Sequence, residues 1–400
     1  MKGLANLSWL FVSVALAAAQ LACGSSSDAP ASSSAAGSAG LPGAAGAAGS
    51  SAGAGAPAAG AAGQASAGTA GTIGSAGTGG NAGSSGSAGT AGTLGISGSA
   101  GASGAAPFGV LKCNPTGSGD GKQTLVGGEG SPAPAEWTLK AGVTAGTVTL
   151  SASFASQSYL TDMYQAKVLH FPYWIYTSAN YVPGKPAILL LMGDGNQFLT
   201  QFHFATVLDN LSAAGDLPPT VALFVDPPTD GQRVLTYDPP TDTYTKFLFD
   251  ELLPSVVFGK YTVSRDPNAW AVVGYSASGG QGWKVLWNRP DDIHKFIGFN
   301  TSFGAATTYN VNWVSLVSAA PARPQLRVSL LTSSKDIGAP QGDPDPRGDW
   351  QAINTNMAMT IAAKGGQSRL MIGAGKHYEP VDGEHDLPNA LRWTFQGCSF

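Results

Sequence analysis

The sequence has few charged residues and few cysteines, and both shortages narrow what the protein can be. Charged residues make up 12% of its 400 positions, whereas an average soluble domain has about a quarter. The formal net charge is −4, so the chain lacks the basic excess that binding to nucleic acid phosphates requires. Three cysteines are too few for a disulfide-dense scaffold. We therefore exclude a nucleic-acid-binding protein and a small disulfide-rich domain.

Long apolar runs are also lacking beyond the N-terminus, so no later segment is expected to span a membrane as a helix. The N-terminal apolar stretch, Leu7–Ala19, follows Lys2. It is too short for a stable membrane span but fits the core of a secretory signal. The sequence therefore predicts an exported protein.

The end of this signal resembles a bacterial lipobox, in which a cysteine becomes the lipidated first residue. Leu21-Ala22-Cys23 carries the resemblance, although Gln20 stands where an aliphatic residue is usual. We expect residues 1–23 to be a lipoprotein-type signal peptide, with lipid on Cys23 as the only membrane attachment. This places the protein at the bacterial cell envelope, with the outer membrane favoured. The alternative is cleavage after Ala17-Ala18-Ala19, which would release a secreted protein.

Charge is missing altogether between Asp28 and Lys112. From Ala29 to Pro107 the chain is nearly all alanine, glycine, serine and threonine. Such a segment cannot bury enough apolar surface to offset the entropy of ordering it. We expect residues 24–107 to be a disordered linker that holds a folded domain away from a membrane.

The remaining segment, 108–400, carries the signals of a single α/β domain. Short apolar runs typical of central parallel strands occur at Ile188–Met192, Val221–Val225, Trp270–Tyr275, Phe296–Phe299, Leu326–Leu331 and Leu370–Ile372. Two further strand candidates, Val148–Phe154 and Val168–Tyr176, precede them. Helical spacing of apolar residues appears between the runs, at Phe202–Leu211, 244–256, Met357–Ala363 and Leu391–Phe395. The alternation predicts a mainly parallel central sheet flanked by helices.

A candidate nucleophile lies where one strand gives way to a helix. Gly274-Tyr275-Ser276-Ala277-Ser278 nearly fits G-x-S-x-G, the sharp turn that presents a catalytic serine. The residues two positions before and after the serine must be small because the turn is tight. Ser278 replaces the glycine that is usual at the second of these positions. A glycine-rich turn capped by a serine is the alternative interpretation.

A serine needs a base to become a nucleophile, and in α/β-hydrolases the acid and then the histidine follow the serine. His377 and His385 lie downstream of Ser276 with room for an acid between. His377 follows the Leu370–Ile372 strand and a small turn expected at residues 373–375, so it is our candidate base. His385 remains the alternative.

The acid is expected at the end of the strand that precedes the base. Asp336 follows the Leu326–Leu331 strand, and a buried carboxylate there would orient the imidazole. Asp343 and Asp345 are alternatives in the loop beyond.

The oxyanion of an ester intermediate needs two backbone N–H donors. Ala277, directly after the serine, would supply one. The turn after Ile188–Met192 contains Gly195 and Asn196, which would supply the other. No metal is expected, since no histidine, cysteine and carboxylate cluster has ligand spacing, and no cofactor is expected.

Cys113 and Cys398 lie near the two ends of the domain. In an oxidising compartment they could form a disulfide that joins these ends. Two unpaired cysteines at the domain ends are the alternative.

Several ordered blocks resemble the enterochelin esterase and esterase D-like branch of the α/β-hydrolases. They are YWIYTSANYVPGKPAILLLMGDG, RVLTYDPPTDTYTKFLFDELLP, YSASGGQGWKVLWNRPDDIHKF and LPNALRWTF. The resemblance implies an α/β-hydrolase fold and a serine esterase with Ser276, His377 and Asp336 as its triad. It also implies a small-molecule or saccharide ester as substrate, such as a siderophore ester or a sugar-linked acyl or feruloyl ester. Two positions depart from the family, Ser278 in place of glycine and Thr236 in place of glutamate.

Two other functions compete with hydrolysis. One is a surface-tethered binding module that kept the fold and lost turnover, which Ser278 or a shifted histidine would favour. The other is transfer of the acyl group to a sugar instead of to water.

Overall fold

The computed structural model describes residues 112–113, 123–126, 133–156, 168–304, 311–346, 348–377 and 381–400. The predicted signal peptide 1–23, with Cys23, and the predicted linker 24–107 lie outside the described residues. Both therefore stay predictions.

Strands dominate the centre of the domain. In chain order they are β1 (Lys112–Cys113), β2 (Gln123–Val126), β3 (Thr147–Ser156), β4 (Leu169–Thr177), β5 (Ile188–Gly193), β6 (Thr220–Val225), β7 (Trp270–Tyr275), β8 (Lys295–Phe299), β9 (Arg327–Lys335), β10 (Gln367–Lys376) and β11 (Cys398–Ser399). Among the described residues, nine of them form one sheet in the order β2-β10-β9-β8-β7-β5-β6-β4-β3. The strands from β2 to β6 run parallel, whereas β4 and β3 are antiparallel. The mainly parallel sheet predicted from the sequence is confirmed.

Helices cover the sheet. They are α1 (Gly195–Thr200), α2 (Phe204–Ala214), α3 (Arg233–Tyr237), α4 (Thr243–Lys246), α5 (Ser276–Asn288), α6 (Trp313–Ala319), α7 (Trp350–Ala363) and α8 (Val381–Thr394). Helix α4 continues as π-helix through Phe247–Leu252 and Pro254–Phe258. Short 3-10 turns occur at Ala135–Trp137 and Pro267–Ala269.

The core lies between the sheet and these helices. Every residue of β6, β7 and β8 is buried, as expected for strands covered on both faces. The stripe at 244–256 is core as well, since Tyr244, Leu248, Leu252 and Val256 are all buried. Burial on both faces explains why these strands read as continuous apolar runs.

Within the described part of the chain, no helix is long and apolar enough to cross a membrane.

Candidate active site

Strand β7 ends at Tyr275 and helix α5 begins at Ser276, so the chain turns sharply at the candidate nucleophile. Ser276 has a φ of +55°, a left-handed conformation that costs energy for a residue with a side chain. The turn also needs glycine at Gly274, because a Cβ there would lie 2.5 Å from the Gly279 Cα. This geometry is that of the strained strand-to-helix turn that the sequence motif predicts.

Ser278, the departure from the motif, fits this turn through its own hydrogen bonds. Its Oγ donates to the Tyr275 carbonyl at 2.8 Å and accepts from the Tyr275 N–H at 3.1 Å. Ser278 is buried, and Gly193 on the neighbouring strand β5 leaves room for its Cβ. The additional side chain is accommodated because a glycine faces it.

Three side chains form a continuous hydrogen-bonded row at the carboxyl edge of the sheet. Ser276 Oγ lies 2.8 Å from His377 Nε2, and His377 Nδ1 lies 2.6 Å from Asp336 Oδ1. With the proton on Nδ1, the imidazole donates to Asp336 and its Nε2 accepts from the Ser276 hydroxyl. The arrangement can therefore move a proton from the serine to the histidine while the carboxylate balances the charge.

Asp336 is fully buried directly after β9. Thr332 Oγ1 donates to its Oδ2 at 2.9 Å, and the Ile337 N–H donates to its Oδ1 at 2.8 Å. These donors compensate the burial of the carboxylate and fix its direction. The alternative acids lie elsewhere in the loop, Asp343 exposed and Asp345 half-buried.

His377 follows the last residue of β10 and is 3% exposed. Its ring packs edge-on against Trp350, with 5.0 Å between ring centroids, and lies 5.7 Å from the Tyr275 ring. The turn expected at residues 373–375 is wrong, because those residues belong to β10, whose register with β9 shifts between Gly373 and Lys376. An irregular strand end takes the place of a turn in presenting the histidine.

His385, the alternative base, lies on helix α8. Its ring packs against Trp137 with 5.0 Å between centroids, whereas the contact with Ser276 Oγ is made by His377. The geometry thus favours His377 as the base.

The predicted oxyanion turn follows β5. Asp194 has a left-handed backbone, with a φ of 52°, and Gly195 begins the short helix α1. The Asn196 N–H donates to Asp226 Oδ1 at 2.8 Å, so this amide is already bound to a carboxylate. Burial raises the pKa of Asp226, and the nearby Asp194 acts in the same direction. Of the two predicted donors, Gly195 is therefore the one we retain.

Two residues near the site were not predicted from the sequence. Arg233 binds the Asp194 carboxylate from α3. Lys284, on α5, is buried, and burial lowers its pKa to about 7. Both lie in the blocks that carry the family resemblance, but their contacts are between segments distant in the chain, which no local pattern predicts.

A small cavity of about 20 Å³ opens beside the candidate nucleophile, which is room for about one water molecule. Its lining includes Ala277, Gly280, Lys284, Tyr237 and Trp313. Gly280 adds no side chain to the cavity, whereas Lys284, about one turn further along α5, lines it. The cavity thus runs along the helix that begins with Ser276.

The second departure from the family, Thr236, is buried on α3. Its Oγ1 donates to the Gln232 carbonyl at 3.1 Å. A hydroxyl satisfied by its own helix thus stands where the family has a carboxylate.

Strands β1 and β11 pair antiparallel, with Cys113 opposite Cys398 in register. Cys398 is disulfide-bonded, and Lys295 Nζ lies 3.1 Å from its Sγ. The backbone register is what the proposed Cys113–Cys398 disulfide requires.

In the part of the chain that the structure describes, no group of three or more histidine, cysteine or carboxylate side chains is placed to hold a metal ion.

No protein-family model matches the sequence, and no curated protein matches it. Among solved structures, the fold is similar to a ferric enterobactin esterase from Salmonella typhimurium, with 16% identity and a TM-score of 0.52 over 66% of this chain and 62% of that one. An enterobactin esterase from Shigella flexneri gives 16% identity and a TM-score of 0.51, over 64% of this chain and 61% of that one. A feruloyl esterase module from Clostridium thermocellum gives 15% identity and a TM-score of 0.49, over 68% of this chain and 95% of that one.

The chain spans 60–63% of the length of the enterobactin esterases it matches. The sheet order, the flanking helices and the similarities to the two enterobactin esterases establish an α/β-hydrolase fold, as the sequence predicted. At such low identity they show the fold, and the chemistry is argued from the side chains.

Proposed function

We propose that the protein is an exported serine esterase that hydrolyses carboxylic esters through an acyl-enzyme. The observation that carries the proposal is the row Ser276–His377–Asp336, with 2.8 Å and 2.6 Å between its hydrogen-bonding atoms. It starts at a serine held in a left-handed turn between a strand and a helix. If Ser276 only capped the helix, as in the alternative interpretation, it would not need a buried histidine and a buried carboxylate hydrogen-bonded in series with it.

The mechanism follows from the positions of these groups. His377 Nε2 takes the hydroxyl proton as Ser276 Oγ attacks the ester carbonyl carbon. The backbone N–H groups of Ala277 and Gly195 bind the resulting oxyanion, and Asp336 stabilises the imidazolium. The imidazolium then gives its proton to the departing alcohol, leaving an acyl group on Ser276. Water, deprotonated by His377, releases the acid and restores the serine.

For the substrate we propose a small-molecule or saccharide ester, such as a siderophore ester or a sugar-linked acyl or feruloyl ester. The similar solved structures, enterobactin esterases by name, share the fold that presents the serine.

We also propose export with lipid attachment at Cys23. The N-terminal pattern of Lys2, an apolar core and Leu21-Ala22-Cys23 supports it. The disulfide at Cys398 fits an oxidising compartment. Radiolabelled palmitate should enter the wild-type protein in bacterial cells, and Cys23→Ala should abolish that incorporation. Unlabelled wild type recovered in the medium would instead indicate cleavage after Ala17-Ala18-Ala19.

The esterase activity is tested with p-nitrophenyl acetate and butyrate, comparing the wild type with Ser276→Ala. Ser255→Ala is the control, because Ser255 is an exposed serine whose Oγ donates to the Glu251 carbonyl. We expect turnover and fluorophosphonate labelling in the wild type and control, and neither in Ser276→Ala. A folded wild type with no turnover and no labelling would favour a binding module. A new sugar ester formed in preference to free acid would indicate acyl transfer.

A further inference from the structure

Two residues of helix α3 form hydrogen bonds with Asp194, which lies directly before the proposed oxyanion donor Gly195. Asp194 adopts a left-handed backbone, which persists only where the surroundings hold it. Arg233, the first residue of α3, donates from Nε to Asp194 Oδ1 at 2.8 Å and from Nη2 to Oδ2 at 2.5 Å. Tyr237, the last residue, accepts the Asp194 N–H on its hydroxyl at 3.0 Å. One helix thus fixes both the side chain and the backbone of Asp194.

Asp194 and Tyr237 are buried in this contact, whereas the Arg233 side chain is 40% exposed. The Asp194 side chain is 8% exposed and Tyr237 is 1% exposed. The Arg233 guanidinium lies 5.3 Å from the centre of the Tyr237 ring, and its bond to Asp194 raises its pKa. Two parallel N–H···O bonds define the direction of a carboxylate more closely than a single contact does.

Helix α3 is also connected by hydrogen bonds to α5, the helix that begins with the candidate nucleophile. Lys284 Nζ donates to the carbonyl of Tyr237 and, at 2.6 Å, to the carbonyl of Pro239. Lys284 belongs to α5, which begins with Ser276. Helix α3 therefore connects the element that presents the serine with the turn that presents the second oxyanion donor.

We propose that Arg233 and Tyr237 are positioning residues that aim the Gly195 N–H at the oxyanion. The inference rests on the proposed esterase function and adds to it the residues that set the oxyanion geometry. Oxyanion donors lower the barrier because they already point at the carbonyl oxygen before negative charge develops on it. Small displacements of such groups therefore reduce the reaction rate strongly. Arg233 and Tyr237 act through Asp194 and do not themselves touch the reacting carbonyl.

The test compares Arg233→Met and Tyr237→Phe with the wild type on p-nitrophenyl acetate and on the matching thionoester. Sulfur is a weaker hydrogen-bond acceptor than oxygen, so a thionoester gains less from the N–H donors. We expect kcat on the oxygen ester to fall about 10–100-fold, with KM changed less than about twofold. The rate on the thionoester should fall much less. A purely structural role would lower both rates by the same factor.

Two matched controls remove similar contacts elsewhere. Arg289 is 37% exposed against 40% for Arg233, and its Nε donates to Asp292 at 2.8 Å. It follows the end of α5, about 20 Å along the helix from Ser276. Arg289→Met should leave the ratio of ester to thionoester rates unchanged. Tyr176→Phe, which removes a buried hydroxyl bound to Asp209 at 2.7 Å, should also leave it unchanged.

The outcomes separate this inference from the proposed function. A wild type inactive on every ester overturns both. An active wild type whose rate ratio is unchanged in Arg233→Met and Tyr237→Phe overturns the positioning role alone. If Arg233→Met does not fold, Tyr237→Phe decides, since it removes only the acceptor of the Asp194 N–H.

As a further check, the effects of Asp194→Asn and Arg233→Met on kcat should be non-additive, because both act through one ion pair. Additive losses of kcat would contradict the inference.

Discussion

Ser278 faces Gly193 across the interface between helix α5 and strand β5, so closely that a Cβ on Gly193 would lie 2.9 Å from the Ser278 Cβ. The serine at the position where the family has glycine is thus paired with a glycine on the adjacent strand. The same glycine is also covered by Tyr237, whose hydroxyl would lie 3.2 Å from such a Cβ. The two positions are therefore coupled sterically.

Gly193→Ala should destabilise the protein by about 1–3 kcal/mol, the usual cost of overpacking a core. Ser278→Gly removes the nearest obstacle, so the cost of Gly193→Ala should be smaller in that background. Chemical denaturation of the four proteins of this double-mutant cycle measures the coupling. Equal costs of Gly193→Ala in both backgrounds would show that Tyr237, and not Ser278, sets the limit.

Asp336→Asn should keep the fold and lower kcat on p-nitrophenyl acetate by about 10³–10⁴-fold. Asparagine preserves the shape of the side chain but offers no negative charge to the imidazolium. Circular dichroism and thermal unfolding would establish that the variant is folded, and steady-state kinetics give the loss. A loss of less than about tenfold would mean that Asp336 is not the acid of the triad.

The central sheet could be predicted because its strands are buried on both faces. Strand β7 matches the apolar run Trp270–Tyr275 residue for residue, and β5, β6 and β8 differ from their runs by one residue at an end. Helix α8 could not be delimited in this way. The sequence indicated only Leu391–Phe395, whereas the helix begins at Val381. Its first half is mostly polar and Pro388 follows directly, so tertiary packing and not local preference forms it.

The row of serine, acid and base was predictable for a different reason. The order of Ser276, Asp336 and His377 along the chain reflects the order of strands whose carboxyl ends meet at one sheet edge. The contacts of Arg233 and Tyr237 with Asp194 had no such signal, because they depend on where a loop helix docks. Sequence order predicts groups at strand ends, whereas contacts made by loops need the three-dimensional structure.

His385→Ala should leave kcat on p-nitrophenyl acetate within about threefold of the wild type, whereas His377→Ala should lower it at least about 10³-fold. His385, on α8, packs against Trp137, whereas His377 contacts Ser276. The two variants, measured side by side, compare histidines only eight positions apart. A large loss in His385→Ala with little loss in His377→Ala would reverse the assignment of the base.

Cys113 and Cys398 should be resistant to alkylation until a reductant is added. Their strands pair in register and Cys398 is disulfide-bonded. Intact mass after iodoacetamide, with and without reduction, counts the protected cysteines, and Cys113→Ser should expose Cys398 to the reagent. Continued protection of Cys398 in Cys113→Ser would indicate another partner. Loss of the bond should destabilise the domain by about 2–5 kcal/mol.

Glu384 should make the protein less stable as the pH rises from about 5 to 8. Burial raises the pKa of this carboxyl from its usual 4.5 to about 7, and the residue is 9% exposed. Between these values the folded protein keeps the proton that the unfolded chain has released, so folding binds a proton and stability falls with rising pH. Glu384→Gln removes this penalty and should raise the unfolding free energy at pH 8 by about 1–3 kcal/mol.

The effect of Glu384→Gln should nearly vanish at pH 4, where the carboxyl is protonated in the folded state and largely so in the unfolded chain. Thermal unfolding at pH 4, 6 and 8 measures it, and about 1 kcal/mol corresponds to a shift of roughly 2–4 °C in Tm for a domain of this size. Asp242→Asn, which removes an exposed carboxylate paired with Lys246, controls for the change in net charge. A Tm difference between Glu384→Gln and wild type that is equal at pH 4 and pH 8 would mean that Glu384 does not titrate in this range. In that case the buried end of α8 would be stabilised by something other than a neutral carboxyl.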